Sequence, residues 1–163
     1  MSAVETLTSA LGADAVAASE FRGERRAVVP EARLFEALQC LKAAGFDLLV
    51  DITAVDYLHY PNARDRFGLV YLLANTATGE RITVKTFLNE PDITVRSVFG
   101  LWKGADWMER EVYDLYGIVF EGHPVLRRIL MPEGFEGHPL RKDYPLRGHG
   151  ERHNFAPLTR AEG

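Results

Sequence analysis

The sequence predicts an α+β fold: a mostly antiparallel sheet with flanking helices, followed by an extended irregular C-terminal tail. Three observations carry this. Helix-period and strand-period segments are interleaved as far as Phe120. Two long strand patterns adjoin one short turn sequence, the arrangement of a hairpin. From residue 132 on both periods vanish, while Pro132, Pro139, Pro145, Pro157 and five glycines from Gly134 on accumulate.

The elements follow in order. Ser2 and Glu5 form a capping-box pattern, which opens a short helix over residues 3–11 that stops at Gly12. Val16 to Phe21 and Arg25 to Val29 read as strands around Arg22-Gly23-Glu24. Pro30 suits the first turn of a helix reaching Ala44, with Leu34, Phe35, Leu38 and Leu41 as its buried stripe and Gly45 as its stop. Phe46 to Val55 is β-branched and apolar enough for a strand. Tyr57 to Asp65 is a polar loop. Arg66 to Asn75 and Arg81 to Leu88 are strands joined at Thr76–Glu80, the second alternating between two faces. Val95 to Trp102 reads as a helix. Asp106, with Glu109 three residues on, reads as an N-cap and its capping-box partner. The helix it opens runs from Trp107 to Tyr116 and stops at Gly117. Met108, Val112 and Leu115 share one face of it, and Arg110 with Asp114 forms an i,i+4 pair on another.

Length and charge bound the organisation. The 163 residues, 47% of them hydrophobic, suffice for one domain with a tail. A domain of this size buries roughly 70% of the surface its unfolded chain exposes. The net charge of −4 divides unevenly. Residues 1–122 carry 12 Lys/Arg against 18 Asp/Glu, whereas residues 123–163 carry 7 against 5, with four of the five histidines and five of the eight prolines. We read 1–122 as an α+β body and 123–163 as an extended docking tail. Its lack of period argues that it does not order itself alone. Its spaced Phe135, Leu140, Tyr144, Leu146, Phe155 and Leu158 suit docking along another protein.

Several function classes are disfavoured. Cys40 is the single cysteine, so neither a disulfide framework nor a Cys-rich cluster site can be built within this chain, and a reducing compartment is expected. The mildly acidic balance argues against nucleic acid. No apolar run reaches the ~20 residues that span a bilayer, and Met1–Leu7 lacks the pattern of a signal peptide, so any membrane role is expected to be peripheral. P-loop, dinucleotide-binding and nucleophile-elbow patterns are absent.

The charged constellations read as structure before chemistry. Glu109 and Glu111, two apart on a helix, point about 200° away from each other and cannot flank one substrate. They suit a cap, an ion-pair-bearing face or an interface pair. His123, His138, His149 and His153 invite a metal reading, and His149-x-x-x-His153 has helical ligand spacing. Gly148 and Gly150 argue against a helix there. Asp51 and Asp56, near the end of an apolar strand, are candidates for chemistry, though a buried Asp capping a loop is the simpler explanation. Glu121-Gly-His-Pro124 recurs as Glu136-Gly-His-Pro139, each followed by a basic pair, Arg127-Arg128 and Arg141-Lys142. The pattern predicts two turns whose arginines meet carboxylates of a partner.

These residues carry a family resemblance. Trp107-Met-Glu-Arg-Glu-Val-Tyr-Asp-Leu-Tyr-Gly through Leu130, and Gly134-Phe-Glu-Gly-His-Pro-Leu-Arg-Lys-Asp-Tyr-Pro-Leu146, resemble the C-subunit family of proton-pumping NADH–quinone oxidoreductase, respiratory complex I. Asp51-Ile-Thr-Ala-Val-Asp56 resembles a strand end of that family. The resemblance implies a structural subunit of the peripheral arm, on the cytoplasmic side of the cell membrane. It would dock by its extension on the quinone-site D-subunit, beside iron–sulfur subunits. It implies no cofactor in this chain, the flavin and iron–sulfur clusters belonging to partner subunits, and no catalytic or metal residue. It places Glu109, Arg110, Glu111, Asp114, Gly117, His123, Pro124, Arg127 and Arg128 in the helix and junction motif. Gly137, His138, Pro139, Arg141, Lys142 and Asp143 fall in the tail motif. All are expected at interfaces. The competing readings are the equivalent subunit of an energy-converting hydrogenase or other-donor complex, and a stand-alone metal or carboxylate enzyme.

Overall fold

The structure, a computed structural model, describes residues 2–150. His153, Phe155 and Leu158 of the predicted tail lie outside the described residues. Helix α1 spans Ala3–Leu11, and its N-cap is the capping box that the sequence predicts: Glu5 N–H donates to Ser2 Oγ, and Ser2 N–H to the Glu5 carboxylate. Strands β1 (Ala17–Phe21) and β2 (Glu24–Val28) follow as an antiparallel hairpin. A single 3₁₀ turn, Glu31–Arg33, leads into α2 (Leu34–Ala43), so Pro30 stands one turn ahead of the helix proper. Strands β3 (Leu48–Asp56) and β5 (Arg81–Leu88) flank β4 (Phe67–Ala74), and each runs antiparallel to it.

These five strands make one sheet in the order β1-β2-β5-β4-β3, in which only the β2–β5 pair is parallel. Alternation decides its two faces. Ile82, Val84, Thr86 and Leu88 of β5, and Leu69, Tyr71 and Leu73 of β4, are buried beneath the helices. Leu7 and Leu11 of α1 meet Leu34, Leu38 and Leu41 of α2 in the same core. The opposite face is bare: Val50 and Val55 are exposed and Val28, Val70, Leu72 and Phe87 half-buried.

One predicted helix is a strand instead. Val95, Val98 and Trp102 recur at helical spacing, which is why Val95 to Trp102 reads as helical. The chain forms β6 (Thr94–Arg96), which pairs in parallel with β7 (Val119–Glu121), and then a series of turns. Long-range pairing to a strand 25 residues away overrides the local period, which three apolar residues cannot specify. Trp102 is buried in the core and its indole N–H donates to the Phe46 carbonyl.

Helix α3 spans Ala105–Tyr116 and packs against β3. Its N-cap is Gly104, and Asp106 already lies in the first turn. The expected Asp106–Glu109 capping box is therefore absent. The helix ends at Gly117, whose φ of 78° lies in the left-handed region.

Candidate functional site

The inner face of α3 buries three charged residues of the predicted motif: Glu109, Arg110 and Asp114. Burial of charge on this scale requires partners. Those partners come from the loop ahead of the helix and from the extension behind it.

Glu109 serves the loop. One carboxylate oxygen accepts from Val98 N–H at 2.7 Å and the other from Ser97 Oγ–H at 2.6 Å. Among the described residues no arginine or lysine pairs with it; His123 Nε2 lies 3.9 Å away. Burial pushes its pKa up to about 7, against the two hydrogen bonds and with help from Asp106. Tyr71, buried beneath, has its phenol pushed well above the ordinary value by burial and by the Glu109 charge. Glu111, two residues on, is exposed, so the two glutamates do point apart.

Asp114 serves the extension. One of its oxygens accepts three backbone N–H groups, from Ile129 at 3.0 Å and from Leu130 and Met131 at 2.8 Å each. The other accepts from Arg128 Nη1 at 2.7 Å. Burial raises the carboxyl's pKa, but the three amides and Arg128 outweigh it and hold it below the ordinary carboxylate range. The expected i,i+4 pair of Arg110 and Asp114 does not form. Arg110 is buried, and Nε and Nη2 donate to the carbonyls of Arg127 and Arg128 while its guanidinium lies 5.2 Å from the Trp107 ring centre.

The sequence near-repeat becomes a pair of pins on one helix. Gly122 and Gly137 both have positive φ, 80° and 86°, as the turn reading requires. His123 accepts from Val125 N–H at Nδ1, which leaves Nε2 to donate to the Asp106 carbonyl at 3.2 Å. His138 Nδ1 reaches the Asp114 carbonyl at 2.9 Å, two turns further along α3. Burial lowers the His138 pKa, with Arg141 and Arg128 adding to the shift. Pro124 is exposed beside the first pin and Pro139 half-buried beside the second.

Each basic pair splits. Arg128 and Arg141 turn inward: Arg128 to Asp114 and the Gly137 carbonyl, Arg141 to the Tyr116 carbonyl at 2.6 Å and to Glu90 at 3.0 Å. Arg127 and Lys142 stay exposed. Lys142 contributes its backbone N–H instead, to Asp56 at 2.8 Å. Asp143 meets Arg66 at 2.7 Å, and that ion pair lowers the Asp143 pKa. Leu140 N–H donates to the Leu115 carbonyl, so the extension reaches the end of α3 and follows it. Gly117 is where the two pack most closely: a Cβ there would come within 2.6 Å of His138 and 2.7 Å of Arg141.

Sequence reasoning missed the receiving ends of these bonds. Arg66 reads as an ordinary strand start, yet it joins Asp56, Glu90 and Asp143. Nothing in the pattern marks Ser97, Val98 or Glu90, because their role exists only once α3 and the extension are side by side. Asp56 is the buried loop-capping carboxylate that the sequence suggested, accepting from Leu58 N–H, whereas Asp51 is exposed at a bulge in β3.

Comparison with known proteins assigns this arrangement to a family. A family model described as the respiratory-chain NADH dehydrogenase, 30 Kd subunit, matches residues 27–150. The chain is 47% identical over 131 residues to the NADH-quinone oxidoreductase C-subunit of Citrifermentans bemidjiense, covering 80% of each. The chain belongs to this family. It is also 50% identical over 125 residues to NADH-quinone oxidoreductase subunit 5 of Thermus thermophilus, covering 73% of this chain and 60% of that relative. The chain thus spans less than two thirds of the Thermus protein's length. Among solved structures, a trypsin-resistant fragment of Nqo5 matches with a TM-score of 0.70 at 38% identity, over 76% of this chain and 99% of that one. A chain from the membrane-bound sulfane sulfur reductase, an archaeal respiratory membrane complex, matches with a TM-score of 0.74 at 27% identity, over 96% and 91%. The 30 kDa-subunit match covers α3 and the described extension together. Among the described residues no helix is long and apolar enough to cross a membrane.

Proposed function

We propose that the chain is a cofactor-free structural subunit of the peripheral arm of proton-translocating NADH–quinone oxidoreductase. On this reading it docks on the quinone-site D-subunit, beside iron–sulfur subunits, on the cytoplasmic side of the membrane. Electron transfer belongs to its partners. The observation that carries the docking role is the way the extension is seated. The chain spends its buried charges, Glu109, Arg110 and Asp114, on fixing loops and the extension. A lone cysteine supports the absence of a cluster site. Exposed Trp107, Val125, Leu130 and Leu140 supply the apolar surface such a subunit needs.

The test is purification of the native assembly through a tag on this chain. The expected result is co-purification of flavin- and iron–sulfur-bearing subunits, with no visible absorbance from the chain when isolated. A chromophore or stoichiometric metal in the isolated chain would overturn it. The likeness to the sulfane sulfur reductase chain favours one second reading, an equivalent subunit in a complex with another electron donor. The identity of the co-purifying donor-side subunits separates the two.

A further inference from the structure

The bare face of the sheet holds a feature that the docking role of α3 and the extension does not use. Lys85 of β5 lies across it between two aromatic rings, its ammonium 4.5 Å from the ring centres of Tyr57 and of Phe87. It donates to Tyr57 Oη at 2.5 Å. Gly68 of β4 makes the room. A Cβ there would stand 2.7 Å from Lys85 Cε and 2.8 Å from Tyr57 Cε2. The placement of this cation is thus built into two strands, β4 and β5, and the loop after β3.

An ammonium carries three donors. One is engaged by Tyr57, and among the described residues no carboxylate lies within ion-pair distance of Lys85. Beside it opens a cleft of about 630 Å³, lined by Tyr57, Tyr60, Asn62, Arg64, Asp65 and Phe87. Asp65, the one acid among these, accepts from Asn89 Nδ2 at 2.7 Å. The cleft therefore presents a cation beside two aromatic rings, with no carboxylate in ion-pair contact with it among the described residues. A carboxylate entering there gains more than at an open surface, because the rings displace water around the charge. The rim is wide: Tyr60, which lines it, is 66% exposed. An open shape of this kind suits a polypeptide, whereas small ligands are mostly enclosed.

We propose that this cleft is a socket for an acidic side chain of a partner polypeptide. Its carboxylate would meet the Lys85 ammonium, and an adjoining aromatic or aliphatic side chain would lie against Tyr57, Tyr60 and Phe87. The proposal takes from the preceding subsection only that the chain works inside an assembly. It does not require the extension to meet the quinone-site protein.

Zero-length carbodiimide coupling joins an amine to a carboxylate that touches it. Applied to the assembly purified with this chain, it should give an amide between Lys85 Nζ and an Asp or Glu of another polypeptide, read by mass spectrometry. Acetylation of Lys85 by an amine-selective reagent should fall about tenfold from the isolated chain to the assembly. The isolated chain supplies an independent arm. Hydrocinnamate, an aromatic carboxylate, should shift the amide resonances of residues 57–65 and 85–87 saturably, and the corresponding alcohol should not. Lys85→Met keeps the apolar stem across Gly68 and should abolish both the link and the hydrocinnamate response. A link only to this chain's own Asp65, equal acetylation in both states, or equal response to acid and alcohol would overturn the proposal. Should no oxidoreductase subunits be recovered with the chain, the subunit reading fails while the hydrocinnamate titration still decides the cleft.

Discussion

The body and the extension are held by different physics. In the body, alternate residues of β3, β4 and β5 point into one apolar layer beneath α1, α2 and α3, and burial of area does the work. Such adhesion has no direction, and many apolar residues of similar size would serve. The described extension, from His123 to Gly150, has no helix or strand, and its course along α3 is set by directed polar bonds. Three amides and an arginine converge on Asp114, two arginine nitrogens of Arg110 reach carbonyls of the extension, and two histidines pin to α3 carbonyls. A segment too poor in apolar residues to bury itself can still be placed when a few of its backbone groups find charged partners. The contrast implies that single polar substitutions unseat the extension, whereas the body tolerates most single changes outside its centre.

The sharpest break in this comparison is at Asp114. Asp114→Ala removes the acceptor of three backbone N–H groups and leaves Arg128 without its carboxylate. Loss of a buried pair of this kind costs about 3–5 kcal/mol. Denaturant unfolding should show it, and hydrogen exchange at residues 129–131 should rise well before that of β4. Unchanged exchange there would mean that the extension is seated by something other than Asp114.

The next effect is a pH dependence of the body's own buried carboxyl. Glu109 has a folded pKa of about 7, above the 4.5 it has when unfolded, so the folded state binds more protons between those values. Its contribution to stability is full below the unfolded value and is lost as pH rises through 7. Between pH 5 and 8 this amounts to about 2–3 kcal/mol. Glu109→Gln should flatten that part of the stability–pH curve relative to the wild type, with His138 unchanged in both. A parallel pair of curves would remove Glu109 as the titrating group.

Gly117→Ala probes the closest approach of the two regions. The added Cβ meets His138 and Arg141 and demands a left-handed alanine, which together cost about 1–2 kcal/mol. The loss should appear as faster exchange at residues 138–142, with the β3–β5 amides unaffected.

Glu111→Gln should be the smallest change, within about 0.5 kcal/mol for the isolated chain, because the side chain is exposed. Any effect of this substitution on incorporation into the assembly then reports a contact with a partner and not folding.

Most of the fold was legible because periodicity is a local property. The hairpin around Thr76–Glu80, the α2 stripe and the capping box at Ser2 each involve residues a few positions apart, and each stands where the pattern predicts. The failures share one cause. Residues 94–96 took strand geometry because β7 offered pairing from afar, residues 97–102 became turns, and the Asp106–Glu109 spacing looked like a cap although Glu109 faces Ser97 and Val98. In the site, the near-repeat and its glycines were readable as turns. That Arg128 and Arg141 turn inward while Arg127 and Lys142 face out was not, since neighbours in sequence differ only in which side of the strap they occupy.

The sequence by itself determined the α+β class, the helix that carries the family motif, and the change of character beyond Phe120. These follow from hydrophobic spacing and from proline and glycine content, which act over a few residues. Only the tertiary structure decided that Glu109, Arg110 and Asp114 are interior groups and that the described extension lies along α3. A charged residue on an amphipathic helix has no intrinsic side. It is buried when groups distant in sequence supply enough hydrogen bonds to replace water, and residues 97–98 and 127–131 supply them here.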